Sequence, residues 1–552
     1  MARQSQAKGA TEPPNGLPSV WSPAEHVRFL LHAAAALPLL LFGVVELIRG
    51  WRPLFDNAAI ALRSYQVFSR HSPLVGHQIA FAVDGKAVFS PGPIQNWLLA
   101  IPTRIDTVHG PLWGSVLVAV IAVVLAVEAG WAAARWWGAT AVTLSVLVAY
   151  AVRGDLTVNV MWNAWFAVIF LYLVLSSGWA VASGRLRWWP ITVIASTVVV
   201  QCQEVFAAPA IAVCAISVAI GVYVRRRSCE GSSLRPVVVG ATVGIALWLP
   251  PAIQELTGQP GNLTLLWRAA NEQGGKVGLS NALGALGGSV RPVPLWLHGP
   301  PPGARADTIY IISIFAGPKW WAMVAFVLLA VTAVLAWRSN RIVMAGGALV
   351  ALSAALGTLI AVATVPAAQV LNFGYLGVLL IPVGTAVLLM LGWGVVEAVR
   401  FVIRRATGSR DGLIGRHRFQ PSMTSQILAS FGMVGIALAI SLSTGAADVG
   451  GGAATLAGWD AVRTTDLGVT KVAKIAPKRT FRMELLGSLG PYDLYILTGM
   501  AYQLDAKGFD VRLPLAAAAP TFGAYSATMP TVYVKVSTPN KIIGVELSPP
   551  QA

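Results

Sequence analysis

The sequence predicts a mainly α protein. It reads as a polytopic bundle of about eleven membrane-spanning helices, N-terminus inside and C-terminus outside, followed by a small extracytoplasmic α/β domain. Three observations predict it. Of 552 residues, 56% are hydrophobic and only 11% charged, at a mean hydropathy of +0.66, more apolar surface than a soluble chain of this length could hide. Apolar runs of spanning or near-spanning length recur along most of the chain. After Ala446 the pattern changes to short alternating segments.

Taken in order, residues 1–26 are polar, contain Pro and Gly, and read as a disordered cytoplasmic stretch. The first apolar run, Val27 to Ile48, is too long for a signal-peptide core and lacks a small-residue cleavage site, so it reads as a retained anchor. Further runs fall at about 111–130, 136–152, 161–182, 189–206, 207–224, 236–253, 320–337, 342–364, 372–400 and 425–445. The formal charge is +17, yet the arginines sit between these runs, which argues for membrane orientation and against nucleic acid. Arg135, Arg185, Arg187, the group from Arg225 to Arg235, Arg338, Arg341 and the group from Arg404 to Arg418 all fall on one side, which the positive-inside rule makes cytoplasmic. Residues 27–445 then form the membrane domain, with long outer loops at 49–110 and 254–319.

In the tail, residues 446–552, Thr480 to Leu485, Phe509 to Leu513, Thr531 to Val536 and Ile542 to Leu547 alternate as strands do. Pro491 to Lys507 has helical spacing, with Gly508 as its C-cap. About 90 residues suffice to fold alone, so the tail is expected to be self-contained. The three cysteines show neither metal spacing nor a disulfide framework.

Residues that carry chemistry gather between the first two apolar runs. Phe55-Asp56-Asn57-Ala58 opens an amphipathic segment, followed by His71-Ser72-Pro73-Leu74-Val75-Gly76-His77, a turn at Asp84-Gly85, and Pro91-Gly92-Pro93. Asp56 reads as a helix N-cap and also as a general base, the candidate catalytic residue. His71 and His77 read as loop histidines or as hydrogen-bond donors to an anionic or sugar ligand, since no further zinc ligands stand at matching spacing. Gln201 and Glu204 close the fifth run on one helical face, as an interhelical hydrogen bond or the rim of a cavity. Glu255 follows Pro250-Pro251, which breaks the seventh run where it leaves the membrane. Arg63, Arg291 and Arg305 lie in the outer loops, where guanidinium groups hold a lipid phosphate or simply touch headgroups.

Together these pieces resemble the actinobacterial GT-C glycosyltransferases, and the resemblance covers residues 27–445. Asp56 sits where that family places an acid in its first outer loop. His71 to Gly76, with Pro91 to Pro102, resembles the helix–turn–helix pattern of the same loop. Val160-Met161-Trp162-Asn163 resembles the family's Pro-Trp-Asn-Pro segment, and Gln201-Cys202-Gln203-Glu204 its Gln-x-His segment. Pro250-Pro251 with Pro260-Gly261-Asn262-Leu263 resembles a further paired motif. The chain departs in having Asn57 where members often have a second acid, Met161 and Ala164 in place of two prolines, and Gln203 in place of the histidine.

The resemblance implies inverting transfer of a sugar, arabinofuranose or mannose, from a polyprenyl-phosphate donor to a cell-envelope glycan or glycolipid at the outer face of the plasma membrane. Asp56 would be the base, and Arg63, His71, His77, Gln201, Glu204, Glu255, Arg291 and Arg305 would bind substrate. No metal site is implied by spacing, and a divalent cation stays open as the cofactor. A transporter or flippase for a lipid-linked glycan, or a catalytically silent scaffold, is the alternative. The transporter is disfavoured because the acids gather at one face and no repeat is seen.

Overall fold

A computed structural model describes residues 22–152, 160–227, 234–272, 274–298, 315–367, 376–406, 421–446, 465–476, 480–486, 493–513, 531–536 and 542–548. Helix α1 (Pro23–Ile48) starts before its apolar stripe, because Ser22 and Glu25 cap it reciprocally. Ser22 N–H donates to Glu25 Oε2 at 2.6 Å, and Glu25 N–H donates back to Ser22 Oγ. Residues 23–26 are therefore helical, a correction to the disordered stretch read from composition.

Between the first two spans, the outer loop holds α2 (Phe55–Gln66), strands β1 (Gln78–Val83) and β2 (Lys86–Phe89), and α3 (Ile94–Ile105). The strands pair antiparallel through Asp84 and Gly85, both with positive φ (51° and 73°), as a tight hairpin turn requires. A hairpin thus lies inside what the resemblance gave as a helix–turn–helix.

Helix α4 (Gly110–Val152) is two spans in one run. Ala134 and Arg135 leave helical geometry, Arg135 at φ 56° and ψ −139°. The backbones of Gly130 and Gly138, eight positions apart, come into direct contact. In a straight helix they would stand about 12 Å apart, so the chain folds back here, and runs 111–130 and 136–152 are separate arms. Helix α5 (Asn163–Ala182) is buried over its whole length and forms the centre of the bundle. Helix α6 (Trp189–Cys202) has 14 residues and reaches only about 21 Å.

The bundle continues through α7 (Ala207–Arg227), α8 (Arg235–Thr257), the short α9 (Asn262–Glu272) and α10 (Gly278–Val290), then α11 (Lys319–Arg338), α12 (Ile342–Thr364), α13 (Leu376–Ala406) and α14 (Met423–Ala446). Among the described residues, nine helical runs are long and apolar enough to span a bilayer, α4 being one of them. With α4 counted as two arms, ten spans stand among the described residues, and the remaining expected run, 189–206, holds the 14-residue α6, too short to cross a bilayer by itself. The fold is that of a polytopic helical membrane protein, helices being a form whose backbone bonds close within one segment, as hydrocarbon demands.

After helical residues 465–475, the tail forms β3 (Phe481–Leu486), α15 (Asp493–Ala506), β4 (Val511–Arg512), β5 (Thr531–Val536) and β6 (Ile542–Ser548). The sheet order is β4-β3-β5-β6, parallel on both sides of β3 and antiparallel between β5 and β6. Gly508 has φ 86° just past α15, as expected of its C-cap. The tail is less self-contained than its pattern suggests. Helix α15 packs on α2, Thr498 Oγ1 accepts the Phe55 N–H at 2.9 Å, and the Tyr502 hydroxyl donates to the Thr107 carbonyl. Arg52 pairs with Asp466 at 3.1 Å.

Candidate active site

Asp56 does not cap α2. Leu54 holds the N-cap position without a side-chain bond, and Asp56 is the second helical residue. Its carboxylate is instead aimed across the loop. Oδ2 accepts a hydrogen bond from Trp162 Nε1 at 3.1 Å, and Oδ1 lies 3.3 Å from His77 Nε2. The Asp56 side chain keeps 28% of its surface exposed, against 11% for His77. A carboxylate held from one side and open on the other can meet a substrate hydroxyl in a fixed orientation. The preceding residue, Phe55, carries a positive φ of 47°, and its N–H is fixed by Thr498. The tail therefore helps to set the turn that aims Asp56.

The loop segments named by the sequence converge here. Ser90 N–H donates to the His77 carbonyl at 2.7 Å, and Gly76 N–H donates to the Ser90 carbonyl at 3.0 Å. These bonds fix His77 at the foot of the β1–β2 hairpin. Gly92 lies so close to Gln201 that a methyl group there would overlap its side chain. Gln201 is fully buried. Its Oε1 accepts the Ile94 N–H at 3.2 Å and its Nε2 donates to the Leu247 carbonyl at 2.8 Å. It thereby ties α3 to α8. Asn163 Nδ2 donates to the Cys202 carbonyl at 3.0 Å and to Gln203 Oε1 at 3.2 Å, and Gln95 Nε2 donates to the Met161 carbonyl at 2.6 Å.

Gln201 and Glu204 do not share a helical face. Helix α6 stops at Cys202, Gln203 is extended (φ −148°, ψ 102°), and Glu204 opens a single 3-10 turn. The break separates their tasks, since Gln201 braces the fold and Glu204 stays near the site. Glu204 lies within electrostatic reach of His77, and its buried Oε2 has no hydrogen-bond partner among the described residues.

Arg63 stands two turns beyond Asp56 on α2, a spacing that keeps both on one face. Its guanidinium lies 4.7 Å from the centre of the Phe89 ring. Burial lowers its pKa to about 10, so it stays charged at neutral pH. Glu255 accepts N–H bonds from Leu263 at 2.7 Å and Thr264 at 3.2 Å, so its oxygens serve the start of α9. His71 is exposed at a turn, its N–H donating to Ser69 Oγ. Arg291 ends α10 and donates to the Val293 carbonyl. Neither has a contact with Asp56, and Arg305 lies outside the described residues. Among the described residues no three His, Cys, Asp or Glu side chains converge as metal ligands.

Two contributors lie in motif segments whose sequence assigns them no role at the site. Trp162 supplies the donor to Asp56. Asn262 takes the place of a neighbouring strand, accepting the Phe89 N–H at 2.9 Å and donating to its carbonyl at 2.8 Å. Their signals were the Trp-Asn and Pro-Gly-Asn-Leu segments, which say that a residue matters but not whom it touches.

No family model matches the chain, and no curated protein sequence matches it. Among solved structures, it is similar to ArnT from Cupriavidus metallidurans in the apo state, at 13% identity and a TM-score of 0.46, covering 91% of this chain and 92% of that one. It is also similar to the Archaeoglobus fulgidus oligosaccharyltransferase in the apo form, at 11% identity and a TM-score of 0.38, covering 85% of this chain and 63% of that one. At these scores neither likeness assigns a residue or an activity.

Proposed function

We propose that this chain is a membrane glycosyltransferase of the GT-C kind. It would move a sugar, arabinofuranose or mannose, from a polyprenyl-phosphate donor to a cell-envelope glycan or glycolipid at the outer face of the plasma membrane. The observation that carries this reading is the Asp56 carboxylate, held by Trp162 and His77 at the point where separate loop and helix-end segments meet.

The chemistry follows from that placement. An acceptor hydroxyl attacks the anomeric carbon as the bond from that carbon to the phosphate oxygen breaks, with inversion. The hydroxyl proton goes to Asp56, and the electron pair of the broken bond leaves with the phosphate. The growing phosphate charge needs cations. Arg63 on the Asp56 face of α2 is the first candidate, with Arg291 and Arg305 as further ones from the outer loops. His77, Glu204 and the open edge of the site would bind sugar hydroxyls, with His71 and Glu255 at the periphery and Gln201 bracing the floor.

The test is transfer by the purified full chain from labelled polyprenyl-phospho-mannose and polyprenyl-phospho-arabinose to an envelope-glycan acceptor. Asp56→Asn keeps the acceptor oxygen for Trp162 but not the base. Turnover should fall about 10²–10⁴-fold with donor binding retained. A near-native rate in the Asn variant would remove Asp56 as base, and no transfer from any donor would favour a transporter or a scaffold.

A further inference from the structure

The helices that form the Asp56 site at one end surround an open cavity at the other. Its volume is about 1000 Å3. Its walls come from the start of α1, the reversal in α4, the α5–α6 connection, the end of α7 and the start of α8. Trp162, Gln201 and Glu204 stand at the opposite ends of these elements, before the start of α5, near the end of α6 and in the turn leading into α7. With α5 at 20 residues, the two places lie about 30 Å apart.

Arg28, Arg135, Arg185, Arg187, Arg225 and Arg235 line this cavity, Arg225 and Arg235 having interactions of their own, and Glu128 is the one carboxylate among its described lining residues. Glu128 is already engaged by Arg28, with Nε to Oε2 at 2.7 Å. Arginines that only orient a membrane protein can spread over its face. These converge on one cavity, against an apolar wall that includes Leu125, Trp131 and Ile191. Arg135 reaches it from a backbone at φ 56° and ψ −139°, which glycine adopts easily and other residues only under strain. An Arg at a position that suits glycine places a guanidinium in the cavity at a cost in backbone strain.

We propose that this cavity binds the anionic phosphate headgroup of a membrane lipid whose tail lies along the apolar wall. Guanidinium groups match phosphate oxygens two at a time, and the apolar wall suits a chain that a soluble anion lacks. Inorganic phosphate shares the headgroup chemistry, so the experiment must separate the two sources. The inference stands apart from the sugar-transfer reading.

The full-length protein in detergent is titrated with dioctanoyl phosphatidic acid, dioctanoyl phosphatidylcholine and inorganic phosphate, with binding followed by calorimetry. Phosphatidic acid should bind at least about tenfold more tightly than phosphatidylcholine, with inorganic phosphate competing more weakly. Arg135→Gly relieves the strained backbone, so it should keep or raise the melting temperature while weakening phosphatidic acid about tenfold. Arg187→Gln should weaken it to a similar extent, and Asp56→Asn should bind like the parent. Equal affinity for the two lipids, or parental affinity in both arginine variants, overturns the proposal. Inorganic phosphate binding as tightly as phosphatidic acid would overturn the lipid as its source.

Discussion

At the scale of single residues, Trp162 holds the Asp56 carboxylate that the proposed function uses as its base. Its indole N–H takes one carboxylate oxygen and leaves the other toward His77. Trp162→Phe keeps the ring and deletes the donor. Turnover should drop roughly 10–100-fold with KM nearly unchanged, since a hydrogen bond to a charged group contributes about 1.5–3 kcal/mol. An unaltered rate would make Trp162 a wall and not an orienting group. Asp505 in the tail gives a second residue-level test. Burial, then the charge of Asp510, raises its carboxyl to about 6 from an ordinary 3.8. A raised acid favours the folded state when protonated, so Asp505 opposes folding above about pH 6, and this penalty fades toward pH 4. Asp505→Asn should therefore stabilise the tail at pH 7.5 by about 1–2 kcal/mol, discounting for partial exposure, and by nothing near pH 4. A gain of the same size at both pH values would exclude the charge as its cause.

At the scale of elements, the site rests on close backbone approach more than on any catalytic group. Gly92 touches the Gln201 side chain, and that side chain is pinned from both ends by Ile94 and Leu247. Gly92→Ala should displace it and cost about 1–3 kcal/mol of stability. The same change in a Gln201→Ala background should cost clearly less, because the clash and the bonds belong to one unit. Additive losses in denaturant unfolding would show the two to be independent. The β1–β2 hairpin was half legible: its Asp84-Gly85 turn stands out in the sequence, while its strands are short and did not.

At the scale of the molecule, the arginine asymmetry predicts an orientation that can be checked directly. Cysteines introduced at Ser228 and Ser409 should resist an impermeant thiol reagent in intact cells, and one at Ser488 should react. The reverse pattern would put the Asp56 end of the bundle in the cytoplasm. The tail is joined to the bundle by Arg52–Asp466, Phe55–Thr498 and Thr107–Tyr502, so it belongs to the site's support. A close-packed contact forms here too, since a methyl on Gly499 would overlap the Leu54 side chain.

Hydropathy alone determined that this chain spans a membrane many times, because twenty apolar residues in a row have no other stable place. It also located the spans closely, and the turn residues Asp84, Gly85 and Gly508 announced themselves through the backbone angles they permit. The residues around Asp56 were named from the sequence, but their roles were not. Whether Asp56 caps a helix or faces Trp162, and whether Gln201 binds substrate or braces α3 against α8, depends on which segments meet. Those contacts join positions about a hundred residues apart. Local periodicity carries no information about such partners, so only the tertiary structure could decide them.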